Sequence, residues 1–134
     1  MNTASGCGFT SQFTELETLH QEFKNEGLVV LGFPSNDFLG QEPLDSQGIK
    51  HFCELNQVNF RLFEKASVRG KNKQPVYKFL TEQGAWKTNG PVFWNFEKFL
   101  VDKTGKTRYR FRSWTKPQSL KVKAKIYELL SESK

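Results

Sequence analysis

Residues 28–33 read Leu28-Val29-Val30-Leu31-Gly32-Phe33, six positions with no polar side chain. A short, unbroken apolar run of this kind marks a strand buried on both faces, as in parallel sheets covered by helices. Upstream of it, Leu16, Leu19, His20 and Phe23 recur at i, i+3, i+4 and i+7. That period predicts an amphipathic helix reaching about Glu26, opened by the capping-box form of Thr14 and Glu17 and closed by Gly27. Downstream, 34–43 is rich in turn residues and reads as a loop. A second helix follows from about Asp45, with Ile49, Phe52 and Cys53 as its buried face.

The pattern continues to the end of the chain. Residues 60–65 read as extended, and Pro75 suits the first position of a helix whose apolar side is Val76, Phe79 and Leu80. Residues 93–101 read as a strand and 102–105 as a turn. In 106–112, Thr107, Tyr109 and Phe111 alternate with Lys106, Arg108, Arg110 and Arg112. A last helix is predicted from about Pro117, with Leu120, Ala124, Tyr127 and Leu130 inward. Buried strands alternating with helices imply an α/β layered domain.

With 134 residues, one domain spanning 1–134 is expected. The balance of 37% hydrophobic to 25% charged residues is that of a folded chain rather than a disordered one. No apolar stretch approaches the ~18 residues that cross a bilayer. The opening MNTASGCG has neither a basic start nor an apolar core, so an intracellular, cytoplasmic protein is expected. Residues 1–60 carry Lys24 and Lys50 against eight acidic residues, whereas 61–134 hold most of the cations behind the net charge of +6. That asymmetry fits an anionic partner or plain solvated decoration, and the second reading is favoured. No nucleic-acid motif accompanies it. The cationic row 106–112 is read as protection of an edge strand against self-pairing.

Two cysteines make neither a disulfide scaffold nor a zinc site. Cys7 sits between Gly6 and Gly8, just ahead of the first predicted helix, where free peptide N–H groups and the helix dipole favour a thiolate. A reactive sulfur is preferred there over simple packing. Cys53 has two open readings, a core filler of its helix or a partner that resolves an oxidised Cys7. His20 and His51 lack ligand spacing, no phosphate-binding glycine loop is present, and Glu15 and Glu17 do not share a helix face.

Three ordered stretches carry a resemblance across essentially the whole chain: Asn2-Thr3-Ala4-Ser5-Gly6-Cys7-Gly8-Phe9-Thr10, then Leu31-Gly32-Phe33-Pro34-Ser35-Asn36 with Gly40-Gln41-Glu42-Pro43, then Trp94-Asn95-Phe96-Glu97-Lys98-Phe99-Leu100-Val101-Asp102. Together they resemble the glutathione peroxidase family. The resemblance implies a thioredoxin-like fold, a central mixed sheet flanked by helices. It implies a thiol-dependent peroxidase that reduces hydrogen peroxide and organic or lipid hydroperoxides through a cysteine sulfenic acid. Cys7, Gln41, Trp94 and Asn95 stand at the positions of the family's catalytic tetrad. The chemistry is coherent: the amides of Gln41 and Asn95 and the indole N–H of Trp94 suit stabilisation of a thiolate and a developing oxyanion.

The short span between Leu80 and Trp94 resembles that of monomeric, phospholipid-hydroperoxide members, whose open site suits an anionic lipid surface. Cys53 lies near the resolving cysteine of thioredoxin-dependent relatives, so thioredoxin is the expected reductant and glutathione the alternative. No metal or organic cofactor is implied. Ser35, Asp37 and Gly6 depart from the usual cysteine, glutamine and lysine. Members also carry about thirty residues ahead of the cysteine, including a central strand between those at 28–33 and 93–101. Here six residues precede Cys7. The expectation is an N-terminally truncated domain, incomplete, poorly stable or completed by another copy, because unpaired strand edges are costly. Two rival functions remain: a catalytically weak redox-sensing or binding protein on the same fold, and a nucleic-acid binder resting on charge alone.

Overall fold

The computed structural model describes residues 1–6 and 11–133. The apolar run at 28–33 delivers a strand, β2 (Leu31–Pro34), shifted a few residues towards its C-terminal end, because Val29 is turned out to solvent. Around it the chain forms β1 (Asn2–Thr3), α1 (Gln12–Phe23), α2 (Ser46–Leu55), β3 (Arg61–Leu62), α3 (Pro75–Glu82), β4 (Lys98–Val101), β5 (Thr107–Phe111) and α4 (Leu120–Ser131). β2 pairs in parallel with β1 on one side and β3 on the other, while β4 and β5 form an antiparallel hairpin with a register shift between Leu100 and Val101.

The first three residues join these two sheets. The carbonyls of Met1 and Thr3 accept from the N–H groups of Phe33 and Ser35 at 2.8 and 3.0 Å. The Asn2 carbonyl points the other way and accepts from Phe96 N–H at 2.7 Å. Alternation of successive residues between two neighbours is what a central strand does. The expectation of an empty central position is therefore corrected at this end: residues 1–3 occupy it. Further along, an apolar cavity of about 350 Å³ lies between residues 28–31 and 98–101, walled by Leu16, Leu19, Phe79 and Ile126 among others. Half-burial of Val76 and Phe79, which the helical pattern placed inward on α3, follows from that opening; Tyr77, Leu80 and Thr81 are the buried residues there.

Helices cover both faces. Leu19 and Phe23 of α1 pack with Phe111, Val122 and Ile126, and Tyr77 and Leu80 of α3 pack with Phe33, Val68 and Val92. α1 starts at Gln12, earlier than the capping box suggested. Thr14 is already helical, and the Glu17 carboxylate accepts the backbone N–H groups of Asn59 and Phe60 at 2.6 and 3.1 Å rather than turning back to cap. α2 begins where expected, with the Asp45 carboxylate accepting Gly48 N–H at 2.8 Å, but Ile49 alone of its predicted face is fully buried.

Two further expectations are corrected. In α4 the buried stripe is Val122, Ile126 and Leu129, while Leu120 is 87% exposed and Ala124 and Tyr127 are also outside. The sequence offers two apolar stripes on this helix, and contact with α1 selects the one that presents branched aliphatics to Leu19 and Phe23. The arginines in and just after β5 are not a bare edge defence. Arg108 pairs with Asp102 and Glu132, and Arg110 and Arg112 converge on Glu97, whose side chain is 1% exposed. The 93–101 strand is shorter than predicted, because 94–97 forms a turn that leads into β4.

Candidate active site

The loop after β2 reverses through two consecutive left-handed residues, Leu39 (φ 53°) and Gly40 (φ 63°), which turn Gln41 inward. Its neighbour Glu42 is buried and holds the turn after β1: the carboxylate accepts Ser5 N–H at 3.0 Å and Ser5 Oγ–H at 2.6 Å. Gly6 N–H donates to the Gln41 carbonyl at 2.8 Å. A Cβ on Gly6 would stand 2.8 Å from that same oxygen, so the usual lysine is replaced here by the one residue that permits the approach. Asn36 Oδ1 accepts Glu42 N–H at 3.0 Å and secures the loop from beneath.

Across from this loop lies the 94–97 turn. Asn95 is fully buried, and its Nδ2 donates to Gln41 Oε1 at 3.0 Å. Its Oδ1 is buried without a hydrogen-bond partner among the described residues. Trp94 is half-buried and packs against Phe38 with ring centroids 5.8 Å apart. Three of the four expected catalytic residues, Gln41, Trp94 and Asn95, thus come together from segments more than fifty positions apart. Cys7 lies outside the described residues; Ser5 and Gly6, which lead to it, are tied to the same loop. A satisfied amide bridge with one spare acceptor, beside an indole, is a polar patch suited to a group that develops charge.

The fold and this assembly of segments find close counterparts among known proteins. Residues 1–81 match the family model described as Glutathione peroxidase. The chain belongs to the glutathione peroxidase family. It is 50% identical over 135 residues to the glutathione peroxidase-like peroxiredoxin HYR1 of Saccharomyces cerevisiae, covering 98% of this chain and 81% of that protein. It is 45% identical over 131 residues to the glutathione peroxidase homolog BsaA of Halalkalibacterium halodurans, covering 97% and 82%. Among solved structures, that of Trgpx in its apo form matches with a TM-score of 0.74 at 38% identity, over 98% of this chain and 78% of the other. The parallel β1–β2–β3 sheet and the antiparallel β4–β5 hairpin, packed with the helices, form the thioredoxin-like fold of this family.

In this glutathione peroxidase domain Cys53 is a free, half-buried thiol on α2, beside a cavity of about 480 Å³ lined by Ile49, Phe60, Leu62 and Lys65. Burial, with the nearby charges of Glu42 and Glu54, pushes its pKa up to about 11, so it is a thiol rather than a thiolate at neutral pH. Ser35 and Asp37, two departures from the family pattern, serve the loop: Ser35 Oγ accepts Asp37 N–H, and the Asp37 carboxylate accepts Val68 N–H at 2.6 Å. Asn2, Glu42 and Glu97 were not picked out by sequence reasoning, although each lies inside a quoted motif. Glu97, between Phe96 and the Lys98–Val101 run, carried the signal of a charged residue among apolar ones, which implies a buried partner, whereas Asn2 and Glu42 stand in polar surroundings that give none.

Proposed function

We propose that the chain is a thiol-dependent peroxidase in which Cys7 reduces hydroperoxides with help from Gln41, Trp94 and Asn95. The Cys7 sulfur attacks one peroxide oxygen; the S–O bond forms as the O–O bond breaks, and the departing oxygen takes a proton and leaves as water or an alcohol. Cys7 is left as a sulfenic acid. The single observation that carries this reading is the junction of Gly6, Gln41 and Asn95, which ties the cysteine-bearing segment to the amide pair by contacts of 2.8 and 3.0 Å. The yeast relatives named as glutathione peroxidase-like peroxiredoxins support the same assignment.

A thiol closes the cycle. Its sulfur attacks the sulfenic sulfur, an S–S bond forms and water leaves; a second thiol then restores Cys7. We assign the first attack to Cys53 and the second to thioredoxin, with glutathione as the alternative that the test distinguishes. Attack by Cys53 needs its half-buried, protonated thiol to become accessible and ionised, and unwinding of the last turn of α2 would do both. The face beside Trp94 supports bulky, anionic hydroperoxides: the exposed Phe93 ring lies 5.0 Å from the Arg112 guanidinium and 5.8 Å from that of Arg69. A monomeric, cytoplasmic enzyme completes the proposal.

Intact mass and peroxide consumption test it together. The reduced protein should consume equimolar peroxide rapidly and lose two hydrogens, and Cys7→Ser should abolish both effects. One added oxygen at Cys7 with Cys53 untouched would transfer the second step to glutathione. Peroxide consumption no faster than that of free cysteine would remove the peroxidase assignment.

A further inference from the structure

We infer that Asn2 is a positioning residue, holding the turn that presents Trp94 and Asn95 and thereby setting their geometry for the peroxidase reaction proposed above. Phe96 is fully buried and adopts φ 60°. A non-glycine residue in the left-handed region persists where its surroundings impose it, and such strain collects beside functional groups. Asn2 is the imposing group. Its Nδ2 donates to the Trp94 carbonyl at 2.9 Å, its backbone carbonyl accepts Phe96 N–H at 2.7 Å, and its Oδ1 accepts Glu97 N–H at 3.1 Å. Residues 94, 96 and 97 are therefore fixed by one side chain and its own backbone, and Asn95 is the residue enclosed.

The side chain has to be asparagine. It must donate at one atom and accept at another from a short stem; aspartate at neutral pH cannot donate, and serine and alanine supply too few groups or none. Asn2 is fully buried, and Met1 and Thr3 on either side are locked to Phe33 and Ser35. The position of the sheet is thus passed directly to the turn. Cys7 follows five positions later in the sequence. One short stretch of sequence carries the attacking sulfur and grips the turn bearing its partners.

The test uses a Trp86→Phe/Trp114→Phe background, in which Trp94 is the sole tryptophan and is excited selectively over the tyrosines; both replaced rings are mostly exposed. Asn2→Ala is compared with Asn2→Asp and with Leu129→Ala, a buried change on α4 away from the turn. Thermal midpoints, Trp94 emission, Cys7 alkylation rate (with Cys53→Ser) and the rate of peroxide reaction are recorded. Asn2→Ala should move Trp94 emission to longer wavelength, slow Cys7 alkylation at neutral pH and lower the peroxide rate constant by about 100-fold, the scale of an ångström of misplacement. Asn2→Asp, which keeps the acceptor, should fall between. Leu129→Ala should change the rate by less than about threefold, as distant independent sites do. Equal rate losses for Asn2→Ala and Leu129→Ala at matched midpoints, or unchanged Trp94 emission, would overturn the inference. A wild-type protein without peroxide activity would defeat the peroxidase reading alone, and emission and alkylation would still decide the role of Asn2.

Discussion

The amide bridge between Gln41 and Asn95 makes an asymmetric prediction. Gln41 is half-exposed, Asn95 has no exposed surface, and a 3.0 Å hydrogen bond joins them. Truncating Gln41 to alanine removes little packing, but it strands the Asn95 Nδ2 in a site where its Oδ1 is already without a partner among the described residues. An unsatisfied buried group costs about 1–3 kcal/mol. For a chain of 134 residues the unfolding entropy scale of ~2.1 cal/mol/K per residue makes 1 kcal/mol about 3–4 °C. Gln41→Ala should therefore lower the midpoint by roughly 4–10 °C, a large loss for a half-exposed residue on a loop. Asn95→Ala removes the orphaned group along with the bond, so the double variant should lose clearly less than the sum of the singles, with a coupling of about 1 kcal/mol or more.

Activity adds a second axis to the same cycle. If both amides stabilise charge as the O–O bond breaks, each single substitution should lower the second-order rate constant for peroxide by about 10²–10³, the scale for losing one such donor. The double variant should be only slightly slower than either single, because neither amide is correctly oriented without the other. Calorimetry and stopped-flow measurements on the four proteins complete the cycle. Additive midpoint losses would refute the bridge; rate constants within about threefold of wild type would refute its part in the chemistry.

Other expectations follow from the same contacts. Glu97→Gln leaves Arg110, whose side chain is 4% exposed, beside a neutral partner, and should cost about 3–5 kcal/mol in denaturant unfolding; a loss below 1 kcal/mol would contradict it. Glu42→Gln weakens the hold on Ser5 and should lower peroxide reactivity more than it lowers the midpoint, as seen by pairing kinetics with a melt. Burial pulls the Lys98 ammonium down to about 7, against the opposing pull of Glu15 and Glu97. The folded state thus binds fewer protons than the unfolded one between about 7 and the ordinary lysine range near 10.4, and stability should rise with pH across that window. Lys98→Met should flatten the rise, and an equal slope in both proteins would exclude this origin. For Cys53, the rate of internal disulfide formation should level off near the ordinary cysteine pKa of about 8.5 if α2 unwinds before attack. A rate still climbing towards pH 11 would place the attack within the folded helix.

The sequence carried the elements whose signals are local. Asp45 and Pro75 started their helices where capping and proline geometry place them, and the apolar run at 28–33 located the strand on which the sheet is built. What could not be read was set by partners distant along the chain. The stripe that α4 buries depends on α1, a hundred positions away, and both stripes are apolar enough to serve. Glu17 matches a capping box, yet two backbone N–H groups at 59 and 60 compete for it and win. The arginines in and just after β5 looked like an exposed row because alternation reports which face a residue takes, and says nothing of the acid that meets it there. Glu97 stands outside the hairpin ladder and supplies that acid.

The same distinction explains how the site is built. Gln41, Trp94 and Asn95 were legible as types in a motif, but a motif does not state what keeps them in contact. That work falls to residues with no part in bond making: Glu42 on Ser5, Asn36 on Glu42, Asn2 on the 94–97 turn, and Glu97 on the arginines in and just after β5. Asn2, Glu42 and Glu97 are buried and Asn36 is exposed; Asn2, Glu42 and Asn36 direct hydrogen-bonding capacity at backbone and Glu97 at guanidinium groups, and at the buried ones a lost partner costs more than a satisfied pair gains. Such contacts are stringent about distance and indifferent to chemistry, which is what a charge-stabilising site needs from its supports. The segment before Cys7 is the shared element: its residues 1–3 complete the sheet, its Asn2 grips the turn, and its Ser5 and Gly6 meet the loop. Reactivity at Cys7 should accordingly respond to changes in that segment before global stability does.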